Sequence, residues 1–233
     1  MTEPRIVAII PARGGSKGIK RKNLAMLAGK SLLEWTVRYA QKALFIDNVY
    51  VTTDNNSIAE AAHELGAVII KRPKELAEDW SIADEAVVHA LPQMGDPDIV
   101  VLLQCTSPLR RACDLDNAID KFLSMEWDSL FSACHMRQFA WHPTEMMRLM
   151  YDHTDKRPMR QDRMPALVEN GSFYITKTFG YTEFNNRVYG NIGYHVMPWW
   201  CGIEIDTEVD LELCELIMRS ERFSNLLGAD TRF

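Results

Sequence analysis

Residues 6–23 read Ile-Val-Ala-Ile-Ile-Pro-Ala-Arg-Gly-Gly-Ser-Lys-Gly-Ile-Lys-Arg-Lys-Asn. The first five are apolar, largely β-branched and end at Pro11, which predicts a short buried strand feeding a loop. In that loop Gly14, Gly15 and Gly18 permit a tight turn and let backbone N–H groups approach a ligand closely. Arg13, Lys17, Lys20, Arg21 and Lys22 put five cations within ten residues of a chain that is acidic as a whole. They repel one another unless an anion sits among them, so the loop suits a polyphosphate; the alternative is a solvated surface run. Gly14-Gly15-Ser16-Lys17-Gly18 does not fit the dinucleotide fingerprint. Gly29-Lys30-Ser31 resembles the end of a P-loop, but Leu24 stands where the earlier glycine is required. Neither hydride transfer nor P-loop ATP hydrolysis is indicated.

Working outward, apolar runs recur at Val49 to Thr53, Ala67 to Lys71, Ile99 to Gln104 and Ser129 to Ala133, each predicted as a strand. Helical patterns separate them. Ser31 is placed to cap a helix, with Glu34 three positions on and Leu32, Leu33, Trp35, Val37 and Ala40 on its apolar side, leaving Asn23 to Lys30 as a loop. Asp54-Asn55-Asn56-Ser57 offers caps for a helix that Gly66 ends, and Ile82 to Leu91 and Asp114 to Phe122 supply two more. Unbroken apolar strands alternating with helices predict an α/β fold, a mostly parallel sheet with helices on both faces. Later strands are expected at Ser172 to Thr176, Tyr194 to Met197 and Gly202 to Ile205. Thr207 then caps a last helix with Asp210.

From about residue 135 to 165 the periodicity fails, and six methionines mix with six cations. Both residue types favour interfaces, so this stretch reads as an inserted arm that meets a second subunit, within one domain spanning 1–233. The chain stops soon after its last predicted helix, and no further catalytic domain is expected.

The composition, 47% hydrophobic over 233 residues, supports a sizeable core. A net charge of −6 argues against a nucleic-acid partner. No apolar stretch approaches a membrane span, and the amino terminus lacks a secretory leader. Five scattered cysteines without a C-x-x-C pair read as reduced thiols rather than disulfides or metal ligands. A cytoplasmic protein is expected. In an open parallel sheet ligands sit beyond the carboxyl ends of the strands. Arg13, Asp54, Arg72, Gln104 and Asp206 each follow a predicted strand, so one rim collects them.

Six segments in one order resemble the acylneuraminate cytidylyltransferases, the CMP-sialic acid synthetases. They are Pro-Ala-Arg-Gly-Gly-Ser-Lys-Gly with Lys22-Asn23, then Thr52-Thr53-Asp54, the run from Arg72 to Ala77, the run from Leu103 to Arg110, Glu169-Asn170-Gly171, and Ile205-Asp206-Thr207. The resemblance implies a nucleotide-diphospho-sugar transferase-like fold and a homodimer formed through the arm. It implies transfer of CMP from CTP to a nine-carbon α-keto acid sugar, an N-acylneuraminate or related nonulosonate, with Mg²⁺ (or Mn²⁺).

Carried over residue by residue, the resemblance assigns the triphosphate to Arg13, Lys22 and the loop at Ala12, Gly14 and Gly15. Such cations would stabilise charge building on departing pyrophosphate. Asn23 and Arg72 match nucleotide-contacting positions; the alternatives are that Asn23 only fixes the loop and Arg72 only pairs with Glu75. Ser81 is the nearest hydroxyl to a base-reading serine, with imperfect alignment. Asp206 matches the metal carboxylate. Glu204 replaces the usual first aspartate, and strand alternation would put both on one side; otherwise Glu204 pairs with a cation. Gln104 matches a sugar-contacting glutamine, or else holds the neighbouring loop. Arg160 and Gln161 resemble an arm segment reaching the sugar carboxylate or phosphates. Asn170 and Gly171 match a substrate-pocket turn, and Tyr189 falls near aromatics beside the acyl group or is plain core. Two other readings remain: a synthetase activating the eight-carbon acid Kdo, and a CTP-binding regulator without turnover.

Overall fold

The computed structural model describes residues 3–136, 138, 141–142, 148–149, 159 and 165–221. The opening run forms β1 (Ile6–Pro11) in the middle of a seven-stranded sheet. Its side chains alternate between two cores, as a strand's period of two requires. Ile6, Ala8 and Ile10 join one apolar cluster, Val7 and Ile9 the other.

After β1 the chain makes a 3-10 turn at Lys22–Leu24 and a small hairpin, β2 (Met26–Leu27) with β3 (Lys30–Ser31), where a plain loop was expected. Ala28 and Gly29, both at positive φ, make its turn. Next come α1 (Leu32–Lys42), β4 (Asn48–Thr53), α2 (Asn56–Glu64), β5 (Val68–Lys71), α3 (Ala83–Ala90), β6 (Ile99–Leu103) and α4 (Ala112–Ser124). Then follow β7 (Ser129–Met136), the short pair β8 (Trp141–His142) and β9 (Arg148–Leu149), β10 (Ala166–Lys177), α5 (Thr178–Phe184), β11 (Ile192–Met197) and α6 (Glu208–Arg219). The caps act as their chemistry predicts: Ser31 Oγ accepts from Glu34 N at 3.0 Å and Asn55 Oδ1 from Ile58 N at 3.2 Å. Thr207 and Asp210 form a reciprocal capping box.

The strand order is β11-β7-β10-β6-β1-β4-β5. Four of the six pairings are parallel, and the other two belong to β10, which runs antiparallel to both β6 and β7. Residues of α1, α2, α4 and α6 cover one face of the sheet, and Val87 and Ala90 of α3 with Tyr181 of α5 lie in the cluster on the other. The expected α/β class with helices on both faces is what forms.

Two strand expectations need correction. The fragment expected at Ser172 to Thr176 is half of a twelve-residue strand, whose first half was masked by Glu169, Asn170 and Gly171 and by an irregularity between Glu169 and Tyr174. No strand spans Gly202 to Ile205. A 3-10 turn at Trp199–Gly202 follows Pro198, and the chain then crosses the rim with a backbone bond from Ile205 N to Thr106 O at 2.8 Å rather than a ladder.

Chain order fixes where a ligand site belongs. From β1 the chain moves through β4 to β5 in one direction, then returns to place β6 on the other side of β1. The crevice beyond the carboxyl ends of β1 and β6 is therefore a topological switch point.

Candidate functional site

A cavity of 190 Å³ opens at that switch point, lined by Arg13, Gly15, Lys22 and Asn23 from the β1 loop, Arg72 after β5, and Gln104, Cys105 and Thr106 after β6. Ser81 and Ala83, at the start of α3, close another side. Sheet topology thus gathers residues as far apart in the chain as Arg13 and Thr106.

The glycine loop is held from within and without. Asn23 Nδ2 donates to Arg13 O at 3.0 Å, so Asn23 fixes the loop while also lining the cavity. Gly14 N donates to Asp54 Oδ1 at 2.9 Å, which ties the loop to the end of β4. A Cβ on Gly18 would stand 1.9 Å from Asp206 O, so only glycine permits this approach of two backbones. Ala12 is fully buried and extends the β1–β4 ladder through a bond to Thr52 O.

Each loop cation seen to pair meets a carboxylate distant in sequence. Lys22 Nζ donates to Asp206 Oδ1 at 2.9 Å, with the lysine side chain 16% exposed and the aspartate 72%. Arg13 Nη1 donates to Glu78 O at 2.8 Å and Asp79 Oδ1 at 3.0 Å, and Lys17 Nζ lies 3.1 Å from Asp79 Oδ2. The Lys17 hydrogen bond, with both cations' charge, holds the Asp79 carboxyl below its ordinary range. Sequence reasoning missed Asp79, since it lies in an irregular stretch after Ala77 without periodicity. The only available signal was an acidic pair, Glu78-Asp79, directly following a motif segment.

Arg72 is the most telling side chain. It is buried, yet its Nε and Nη2 have no hydrogen-bond partner, so neither engages Glu75. Burial lowers its pKa, while Asp54 opposes that and Arg13 adds to it. Unsatisfied buried donors on a cation are costly, and in a cavity lined by other cations they call for an anionic or acceptor-rich occupant. Ser81 is present beside it, its Oγ donating to Glu75 O at 3.0 Å.

A second pocket of 410 Å³ adjoins the rim, lined by Cys134, His135, Val168, Glu169, Asn170 and Trp199 among others. Gly171 stands between it and the cavity. Its φ of +63° favours glycine, and a Cβ there would meet Gln104 Oε1 at 2.7 Å, Ser107 Oγ at 3.0 Å and the Glu204 carboxyl at 3.1 Å. Asn170 is buried, with its amide between Met197 Sδ at 3.2 Å and Cys134 Sγ at 3.6 Å, and its Oδ1 accepting from Ser172 N. Gln104, Gly171 and Glu204 are thereby brought together.

Burial, and then the like charge of Asp206, pushes the Glu204 carboxyl up. The two acids do not reach this arrangement by strand alternation, because residues 203–206 form no strand. Among the described residues no group of three or more His, Cys, Asp or Glu side chains is placed to hold a metal. Two neighbouring hard carboxylates at the mouth of a cationic cavity nevertheless suit a Mg²⁺ ion that takes its other ligands from phosphate and water.

Three sequence candidates lie elsewhere. Arg160 and Gln161 fall outside the described residues. Tyr189 sits by the amino-terminal ends of β7 and β11, the opposite end of the sheet, where its backbone exchanges hydrogen bonds with Ser129 Oγ. Its ring packs over Gly180 and beside the exposed Phe179 and Phe184, in a half-buried aromatic cluster that lines neither pocket.

The model of the family described as cytidylyltransferase matches residues 7–201, which run from β1 through β11 and include every residue lining the smaller cavity. The chain belongs to the cytidylyltransferase family. Among curated relatives, N-acylneuraminate cytidylyltransferase A of Danio rerio is 33% identical over 222 residues, covering 90% of this chain and 50% of that protein. The N-acylneuraminate cytidylyltransferase of Escherichia coli O18:K1:H7 is 29% identical over 226 residues, covering 93% and 53%. The chain therefore spans about half the length of the curated relatives it matches. Among solved structures, CMP:2-keto-3-deoxy-manno-octonic acid synthetase complexed with CTP superposes with a TM-score of 0.72 at 17% identity, covering 92% of this chain and 98% of the other. A cytidylyltransferase from Leptospira borgpetersenii gives 0.63 at 17%, covering 99% and 95%. At these identities the structural matches establish the fold. No helix among the described residues is long and apolar enough to cross a membrane.

Proposed function

We propose that the chain couples CTP to an N-acylneuraminate or a related nine-carbon α-keto acid sugar, yielding the CMP-sugar and pyrophosphate. The observation that carries this reading is the buried Arg72 guanidinium, two of whose donors have no partner, in the lining of a cavity at the β1–β6 switch point beside Arg13 and Lys22. The relatives named above support the sugar class.

In the proposed reaction the sugar's anomeric oxygen bonds to the α-phosphorus, the bond from that phosphorus to the bridging oxygen breaks, and pyrophosphate departs. The hydroxyl proton passes to solvent. Arg13, Lys22 and the loop amides offset the charge gathering on the leaving group. Their present partners, Asp79 and Asp206, hold the cations in place until phosphate competes for them. Arg72 binds the nucleotide, its fork able to grip two acceptors at once, and Ser81 lies beside the base. Gln104, donor and acceptor together, orients the sugar at the Gly171 boundary. Asn170 shapes the adjoining pocket, while Arg160 and Gln161 are proposed to reach the sugar's carboxylate. Mg²⁺ (or Mn²⁺) would be held by Asp206 with Glu204 and, when bound, neutralises phosphate charge.

The five cysteines are all free, which fits a reducing cytoplasm. A homodimer joined through the 135–165 arm completes the reading; sedimentation of a chain with that arm shortened, expected to run as a monomer, tests it. Pyrophosphate release with CTP and Mg²⁺ against a panel of neuraminate, deaminated neuraminate, legionaminate, pseudaminate and the eight-carbon acid tests the reaction. Release with a nine-carbon acid is expected, and release with the eight-carbon acid alone would overturn the sugar assignment.

A further inference from the structure

Arg110 lies at 6% exposure seven residues beyond the end of β6, and no carboxylate among the described residues pairs with it. Its partners are neutral. Nη2 donates to Gln104 O at 2.5 Å and to Ser172 O at 3.0 Å, Nε to Ser172 Oγ at 3.0 Å, and Nη1 to Thr36 Oγ1 at 3.3 Å. The guanidinium also stands over the Tyr39 ring at 5.2 Å. Burial pushes its pKa down to about 10, so it stays charged at neutral pH.

A buried cation without a counter-ion is an expensive way to fill space, and an apolar side chain of similar volume would cost less. What an apolar side chain cannot do is bridge two strand ends. The ladder between β6 and β10 finishes at the pair Leu103 and Phe173. The next residue of each chain toward the rim, Gln104 and Ser172, supplies a carbonyl to the same Nη2. Arg110 thus replaces the rung that the ladder lacks, at the point where Gln104 and Gly171 separate the two pockets.

We propose that Arg110 is a positioning residue for the proposed reaction, clamping Gln104 to Ser172 so that the Gln104 amide and the Gly171 turn hold their places between nucleotide and sugar. The clamp rests on the reading of function given above. It depends on the planar fork, since a lysine ammonium cannot span two carbonyls and a hydroxyl in the same plane.

The test compares Arg110→Lys and Arg110→Met with the wild type by kinetics, by the CTP-induced shift in melting temperature, and by amide hydrogen exchange. Both variants are expected to keep the CTP-induced shift and the KM for CTP, and to lose kcat with the sugar by about tenfold to a hundredfold, the scale of a small misplacement of a reacting group. Exchange should quicken in 104–107 and 170–173 and stay unchanged in β1 and β4. Lysine matching wild type would overturn the clamp in favour of simple charge, and equal losses of CTP and sugar binding would show a merely structural role. If the wild type turns over no sugar on the panel, exchange still decides: unchanged protection at both segments overturns the proposal, and local loss supports it.

Discussion

Lys22 and Asp206, 184 positions apart in the chain, meet across the mouth of the cavity with Nζ donating to Oδ1 at 2.9 Å. The lysine is largely enclosed and the aspartate largely open. With its carboxylate open to solvent, such a pair contributes on the order of 0.2–1 kcal/mol, so its removal tests chemistry more than folding. Asp206→Ala is expected to lose turnover by about a hundredfold or more, with a melting temperature close to wild type. Near-normal pyrophosphate release in that variant would remove Asp206 from its proposed role.

Arg72 presents the reverse case, a buried charge whose donors await a partner. Arg72→Met should leave the unliganded melting temperature unchanged or raise it by about 2–4 °C, because an unsatisfied cation is replaced by an apolar chain. The stabilisation that CTP confers should disappear. A thermal titration reads both, and a retained CTP shift would assign the nucleotide to other groups.

Gly18 and Gly15 separate sterics from loop flexibility. Gly18→Ala forces a Cβ to 1.9 Å from Asp206 O, whereas nothing lies within 4 Å of a Cβ at Gly15. Gly18→Ala is expected to destabilise by about 1–3 kcal/mol and to impair turnover, and Gly15→Ala to leave stability near wild type. Paired urea melts check this; equal stability for the two would mean that the backbones part without cost.

Asp114 sets an acid limit on stability. Its side chain is fully enclosed, with His195 Nε2 at 3.1 Å and Arg111 as a second partner. Burial alone would raise its carboxyl, but the hydrogen bonds from His195 and Arg111 outweigh it and hold the pKa below the ordinary range. A carboxyl depressed in the fold contributes stability present in full above its unfolded value near about 4 and lost as pH falls through the folded value. Asp114→Asn should therefore cost about 3 kcal/mol at neutral pH, with the gap from wild type narrowing below about pH 4. Denaturant midpoints across that range read the trend, and a gap independent of pH would contradict it.

Much of this architecture was legible because its signals are local. A β-branched run ending at Pro11, a serine three residues before Glu34 and a threonine three before Asp210 each act through neighbours a few positions away. The rim was legible through strand ends, which is why Arg13, Arg72 and Gln104 were anticipated together. Pairings across long separations were not. Asp79 has no pattern that announces its two cations, and the Ile203–Asp206 crossing alternates like a strand while having no strand to pair with. Tyr189, matched by resemblance to aromatics beside the acyl group, lies at the far end of the sheet in space, a placement that its sequence neighbours do not signal.

The one reversed strand of the seven-stranded sheet also sets where the chain leaves it and returns. β7 leaves the sheet at Met136 and β10 re-enters at Ala166, and because β10 runs backwards both junctions fall at the same end, next to Asn170. The sheet therefore delivers both junctions of residues 137–165 to the larger pocket, whose lining includes Met136 on one side and Asn170 on the other.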